Sequence, residues 1–309
     1  MYTKFYGLNK KPFESNLDSS FLYLGEKHKE ALALMIYAIR QRKSLVLLSG
    51  PPGMGKTTLI NVLMQMEATA KFASIVNPCV DLIDFYRLMF HDFGIKEQCS
   101  TKAEFLIALD EFLKSQYRSA SPVVLIVDEA QGLSTPILEE IRYILNIGAR
   151  YPNTFQVILS GQPEIRERIA SDALQNLRQR IALYSKIDPF TDEETKAYIN
   201  TRLTKAGNSA QRRLIDEEEF SEISSRSTGI PRLINVICDS AFLLGHLNRL
   251  SIIDRNTVVE SVKDLDLLGL PEPRAVSPLP SQRPSRKGWF KRLFTTNPKW
   301  NGRDEHRQP

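Results

Sequence analysis

Gly50-Pro51-Pro52-Gly53-Met54-Gly55-Lys56-Thr57-Thr58 decides how this chain is read. The stretch fits Gly-x4-Gly-Lys-Thr in full. It lies between the apolar run Ser44–Ser49, which predicts a buried strand, and a helical pattern that begins near Lys56. That context gives the motif its chemistry. Glycines let the backbone curl so that successive N–H groups point at phosphate oxygens. The following helix turns its positive end toward the same anion. Gly50 through Thr58 are therefore the candidate binding loop. Lys56 is expected at the β- and γ-phosphates of a nucleoside triphosphate, and the Thr57 hydroxyl on Mg²⁺.

Val123-Val124-Leu125-Ile126-Val127-Asp128-Glu129 supplies the complement. Five apolar residues predict a buried strand, and two carboxylates emerge at its C-terminal end, where open α/β sheets bind their ligands. Asp128 is the candidate metal ligand, directly or through water. Glu129 is the candidate general base for an attacking water, so the implied reaction is hydrolysis. The nucleotide is read as ATP, because a guanine site would call for Asn-Lys-x-Asp, which the chain lacks. Asp128-Glu129-Ala130-Gln131 also lacks the Asp-x-x-Gly of GTP-hydrolysing proteins.

Working outward, short apolar runs alternate with longer amphipathic segments. Further strands are expected at Phe72–Val76, Val123–Val127, Thr154–Ser160 and Ile181–Ile187. Helices are expected at Asp81–Phe93, Lys102–Tyr117 and around Pro136–Ala149, with two short ones around Pro163–Arg180. Five strands with intervening helices predict a parallel α/β sheet covered on both faces. After Asp188-Pro189 only helical patterns remain: Asp192–Lys205, Asp216–Ser227, Pro231–His246 and Asp254–Asp266. The expected division is a nucleotide-binding core at 1–188, a helical lid at 189–270 and a disordered basic, Pro-rich tail at 271–309. A length of 309 residues suits two domains at roughly 150 residues each.

Composition narrows the rest. The chain is 42% hydrophobic and 25% charged, enough to bury a core. Cys79, Cys99 and Cys238 stand far apart, which argues against a disulfide framework or structural zinc and fits a reducing cytosol. No apolar run approaches the ~18 residues of a membrane span, and no apolar signal core follows Met1-Tyr2-Thr3-Lys4-Phe5. The net charge of +5 is concentrated: residues 271–309 carry nine Lys/Arg against three Asp/Glu and hold seven of the 17 prolines. The remaining body is close to neutral.

The phosphate loop, the Asp-Glu strand end and the helical C-terminal region together resemble an AAA+ ATPase. That resemblance implies further roles. Arg232, in Thr228-Gly229-Ile230-Pro231-Arg232, matches the second sensor, which reaches from the lid to the γ-phosphate. Gln162, in Leu159-Ser160-Gly161-Gln162, matches the polar first sensor, with Ser160 as the substitute. Arg178 and Arg180, in Arg178-Gln179-Arg180-Ile181, match the arginine presented to a neighbouring subunit. Arg180 is favoured because it immediately precedes the last strand, and a surface ion pair is its competing reading. An arginine acting in trans requires a homo-oligomer, expected as a ring.

A narrower resemblance is to the ExeA/GspA type of AAA+ ATPase, over about residues 1–265. It rests on Phe5-Tyr6-Gly7-Leu8, Pro12-Phe13, Phe21-Leu22-Tyr23, His28 with Glu30-Ala31-Leu32, Ser160-Gly161-Gln162-Pro163-Glu164 and Gly229-Ile230-Pro231-Arg232. In that family the N-terminal segment packs beside the adenine, which makes Phe21, Tyr23 and His28 candidates for the base pocket. The alternative is that they staple an N-terminal helix to the core. Two departures stand out. Leu17-Asp18-Ser19 replaces the usual Pro-Asp-Pro, and a short basic tail stands where secretion members continue into a membrane span and a peptidoglycan-binding domain.

The resemblance implies an ATPase serving assembly of an envelope secretion, pilus or exopolysaccharide system, cytoplasmic or at the inner membrane face. Within the tail, Lys287-Gly288-Trp289-Phe290-Lys291-Arg292-Leu293-Phe294 has the composition of an interfacial helix. Peripheral membrane contact, nucleic acid binding and no dedicated ligand all stay open for it. An alternative function is a DNA-binding ATPase that regulates a transposase; the neutral body tells mildly against it. A nucleotide-binding scaffold without turnover is the third reading.

Overall fold

The structure, a computed structural model, describes residues 2–14, 21–76, 79–208, 212–215 and 217–266. Leu17-Asp18-Ser19 and the basic tail at 271–309 lie outside the described residues. Five strands form: β1 (Leu45–Ser49), β2 (Lys71–Val76), β3 (Val123–Asp128), β4 (Phe155–Gly161) and β5 (Ile181–Lys186). All pair in parallel, in the order β2-β3-β4-β1-β5. Each lies within about a residue of the strand expected from the apolar runs.

The three central strands are apolar at nearly every position because both faces are covered. Strand alternation then divides their side chains between two cores. Leu45, Leu47, Leu125, Val127, Val157 and Leu159 pack with α4 (Leu82–Phe93), α5 (Lys102–Arg118), α6 (Thr135–Gly148), α7 (Pro163–Ala170) and α8 (Gln175–Arg178). Val46, Leu48, Val124, Ile126 and Ile158 face α2 (Glu26–Arg40) and α3 (Lys56–Met66). Register fixes where the sheet stops. Ser49 pairs with Gly161, Val127 with Leu159, and Val76 with Asp128. The loop after β1 and the ends of β3 and β4 therefore emerge in one row.

Beyond the sheet come α9 (Asp192–Lys205), α10 (Glu217–Ser227), α11 (Pro231–Leu247) and α12 (Arg255–Asp266). Among the described residues this region holds no strand, only an isolated parallel bridge between Ile215 and Ile253. Its core, around Ile199, Ile223, Ile237 and Phe242, also takes in Tyr2, Tyr6, Leu8, Phe13 and Phe21. The first of these sits on a four-residue helix, α1 (Tyr2–Phe5), too short to show a period in sequence. The Tyr2 hydroxyl donates to Asp239, and Tyr6 Oη donates to the Leu250 carbonyl at 3.0 Å. The described residues all belong to one compact unit. No helix among the described residues is long and apolar enough to cross a membrane.

Candidate nucleotide site

The loop between β1 and α3 turns through two glycines in the left-handed region, Gly53 (φ +78°) and Gly55 (φ +82°). A β-carbon is costly at such angles, which is why the motif needs glycine there. Lys56 opens α3, and its ammonium is buried, donating to the carbonyls of Gly50 at 2.9 Å and Pro51 at 3.1 Å. Burial lowers its pKa below the ordinary lysine value, against the opposing pull of Glu129, Asp128 and Glu164.

Thr57 Oγ1 donates to Asp128 Oδ2 at 2.5 Å, and Ser160 Oγ donates to Asp128 Oδ1 at 2.7 Å. The metal-ligand candidates Thr57 and Asp128 are thus adjacent. Their donors are hard oxygens, the set that suits Mg²⁺ bound by one or two protein groups and substrate phosphates. No cluster of three or more His, Cys, Asp or Glu able to hold a metal occurs among the described residues. Of the two first-sensor candidates, Ser160 donates to the Asp128 carboxylate and Gln162 to that of Glu129.

Glu129 follows in the left-handed region (φ +53°), uncommon for a residue with a side chain. Its Oε2 accepts from Gln131 Nε2 at 2.5 Å and Gln162 Nε2 at 3.2 Å. Burial would raise this carboxyl, but those two bonds and the Lys56 charge outweigh it and hold the pKa below the usual glutamate value. An ionised carboxylate is the form a general base requires.

Beside the loop opens a cavity of about 630 Å³, the size of a cofactor site. Tyr23, His28, Thr58, Phe190 and Arg232 are among its lining residues, as is Phe21. The structure therefore brings the sequence-expected base-pocket residues and the second-sensor arginine to the loop. The stapling role expected as an alternative is also present: Tyr23 packs edge-on to Phe190 and Tyr198, and the His28 ring lies 5.2 Å from that of Phe190. His28 Nε2 donates to the Met54 carbonyl at 2.7 Å. The Arg232 backbone N–H donates to the Gly53 carbonyl at 3.2 Å.

Arg178 and Arg180 are not at this cavity. The Arg178 guanidinium donates to the Ala170 carbonyl at 2.6 Å, and that of Arg180 donates to Asn146 Oδ1 at 2.5 Å; both residues are exposed. Sequence reasoning missed Gln131, Phe190, Tyr198, Arg202 and Asn235. Gln131 stood in plain view beside Glu129 and was used only to exclude a GTPase. Tyr198, Arg202 and Asn235 come from helical segments whose periodicity marks a core face and carries no sign of a cavity, and Phe190 comes from the loop that precedes α9.

A strand order that places β4 between β1 and β3, with the phosphate loop and an Asp-Glu pair at adjoining strand ends, defines a class. The chain belongs to the AAA+ ATPases: residues 39–169 match a family described as an AAA domain. The fold agrees with that of Cdc6p from Pyrobaculum aerophilum, with a TM-score of 0.63 at 16% identity, covering 84% of this chain and 74% of that one. Within the class the chain is of the ExeA/GspA type. It is 34% identical over 246 residues to General secretion pathway protein A of Aeromonas hydrophila, a match that covers 79% of this chain and 44% of the relative. It is also 26% identical over 275 residues to the Holliday junction branch migration complex subunit RuvB of Koribacter versatilis, over 82% of this chain and 66% of that protein. The chain thus spans less than half the length of the secretion relative.

Proposed function

We propose that the chain hydrolyses ATP with Mg²⁺, working as a homo-oligomer that powers or regulates assembly of a bacterial envelope system for secretion, pilus formation or exopolysaccharide export. The observation that carries the hydrolytic part is the meeting of Lys56, Thr57, Asp128 and Glu129 at adjoining strand ends. Lys56 binds the β- and γ-phosphates, to which the N–H groups of Gly50–Thr58 also turn. Thr57 and Asp128 would hold Mg²⁺, which would supply charge to neutralise the phosphates. Glu129 takes the proton of the attacking water. Gln162 reads the γ-phosphate from the end of β4, and Arg232 reaches it from α11. Arg180, or Arg178 in its place, serves the site of a neighbouring subunit.

The adenine lies against Tyr23 and His28, with Phe21 close by. Residues 1–188 act as the nucleotide-binding core and 189–270 as a lid on it, with 271–309 as a basic tail. The secretion setting is supported by the 34% identity to General secretion pathway protein A. It implies a protein of the cytoplasm, with peripheral contact at the inner membrane face. A second reading, a DNA-acting ATPase of the kind that regulates a transposase, is favoured by the likeness to RuvB.

Glu129→Gln separates binding from chemistry. The variant is expected to bind ATP as the parent does and to lose hydrolysis by roughly a hundred- to ten-thousand-fold. Unchanged turnover would remove Glu129 from its role. Turnover measured with anionic lipid vesicles, then with duplex DNA, separates the two settings: stimulation by DNA alone overturns the envelope reading.

A further inference from the structure

The one-turn 3₁₀ segment Ala130–Gly132 brings a side chain to Glu129 that the phosphate-loop and Asp-Glu motifs do not include. Gln131 Oε1 accepts the Gln162 backbone N–H at 3.0 Å, and Gln131 Nε2 donates to Glu129 Oε2 at 2.5 Å. Gln162 Nε2 donates to the same Oε2 at 3.2 Å, closing a ring of three residues. A backbone N–H can only donate, so it fixes which end of the Gln131 carboxamide is oxygen. The amide nitrogen must then face the carboxylate.

Two further features hold Gln131 in place. Arg168 Nη1 donates to its backbone carbonyl at 2.7 Å. On the other side β4 leaves space: a Cβ on Gly161 would lie 2.8 Å from Gln131 Oε1. Both amide donors meet Oε2, and no described residue hydrogen-bonds Oε1. Glu129 itself occupies the left-handed backbone region, which a residue with a side chain keeps only where its surroundings fix it.

We propose that Gln131 is a positioning residue for hydrolysis: it anchors Glu129 Oε2 so that Oε1 faces the attacking water. The water oxygen bonds to the γ-phosphorus, its proton passes to Oε1, and the bond from that phosphorus to the bridging oxygen breaks with its electron pair leaving on ADP. Gln162 couples the ring to the end of β4, because its backbone holds Gln131 while its side chain holds Glu129. The proposal rests on Glu129 being the base.

Steady-state hydrolysis, binding of ATP and thermal melting of Gln131→Ala, Gln131→Glu, Glu129→Gln and the double variant Glu129→Gln/Gln131→Ala test it. Gln131→Ala is expected to lower kcat by roughly ten- to a hundred-fold through lost orientation, with KM and the melting temperature little changed. Gln131→Glu keeps an acceptor for the Gln162 N–H but sets a second carboxylate against Glu129, so its loss is at least as large. The double variant should fall no further than Glu129→Gln, since Gln131 acts through that carboxylate. A Gln131→Ala enzyme with parental kcat beside an inactive Glu129→Gln sinks the positioning role alone. Loss of kcat and stability together, with additive losses in the double variant, makes Gln131 merely structural. Full turnover in Glu129→Gln removes the base itself and the proposal with it.

Discussion

The candidate nucleotide site has two sides, a sheet wall that carries the strand-end residues and a helical wall that lines the cavity beside the phosphate loop, and they are built differently. On the sheet wall, Lys56, Thr57, Asp128, Glu129, Ser160 and Gln162 come from three neighbouring segments, and hydrogen bonds between those segments link most of them. Strand register has already aligned them. On the helical wall, aromatic rings from the N-terminal segment, Phe190 and Tyr198 pack together. Few bonds join that wall to the phosphate loop; the Arg232 N–H to the Gly53 carbonyl is one. A rigid wall suits chemistry that tolerates little misplacement, and a wall held by side-chain packing suits a part that selects or encloses the ligand.

If that contrast holds, the largest functional effect with the smallest structural one should come from the sheet wall. Lys56 is a buried ammonium whose pKa burial depresses, so its charge adds little to the stability of the fold. Lys56→Ala is expected to lower kcat/KM for ATP on the order of a hundred- to a thousand-fold. Its melting temperature should stay within a few degrees of the parent. A variant that melts far lower would show that this wall, too, depends on its polar groups for folding.

The same contrast explains what was legible in the sequence. Ser44–Ser49 and Val123–Val127 announced themselves as strands because a central parallel strand is apolar throughout, and the chemistry then followed at fixed offsets in Gly50–Thr58 and Asp128-Glu129. Tyr2 and Tyr6 gave no such sign: their partners Asp239 and Leu250 are more than two hundred residues away. Gln131 was overlooked because its role depends on the Gln162 backbone, which only the folding of β4 beside β3 brings near. Arg178 and Arg180 bond within their own chain. The role proposed for them at a neighbouring subunit is not encoded in local pattern.

Arg202 sharpens the comparison from the helical side. It is buried, and its guanidinium donates to the carbonyls of Pro12 at 2.6 Å and Glu14 at 3.2 Å, to Asn235 Oδ1 at 3.0 Å and to the Tyr198 hydroxyl. It also lies 5.3 Å from the Phe21 ring centroid. One side chain thus ties the N-terminal segment to α9 and α11. Arg202→Met keeps much of the bulk and removes every donor, leaving buried acceptors unpaired. The expected cost is about 3 kcal/mol, read as a melting temperature lower by roughly 6–12 °C. KM for ATP should rise several-fold while kcat changes little, because the wall that encloses the base loosens and the carboxylates stay put. A fall in kcat at constant KM would break the division between the walls.

The smallest effect is a pH dependence at His28, where the walls meet. The Met54 carbonyl can only accept, so the proton of the neutral ring sits on Nε2; Nδ1 is buried with no hydrogen-bond partner. Burial lowers the imidazole pKa below its ordinary 6.5, more than the Met54 bond and the Glu194 charge raise it. The folded protein therefore keeps His28 neutral where the unfolded chain takes up a proton. The unfolded state binds more protons below pH 6.5, so this stability is complete above that value and declines as pH falls toward the depressed folded pKa. His28→Gln retains a donor for Met54 and cannot titrate. Between pH 7.5 and 5.5 the parent should lose more melting temperature than the variant, by roughly 2–4 °C per pH unit below 6.5. The other three histidines are common to both proteins, so the difference isolates His28. Equal losses would mean that the His28 contact to the phosphate loop survives protonation, and that the helical side grips the loop more firmly than its sparse bonds suggest.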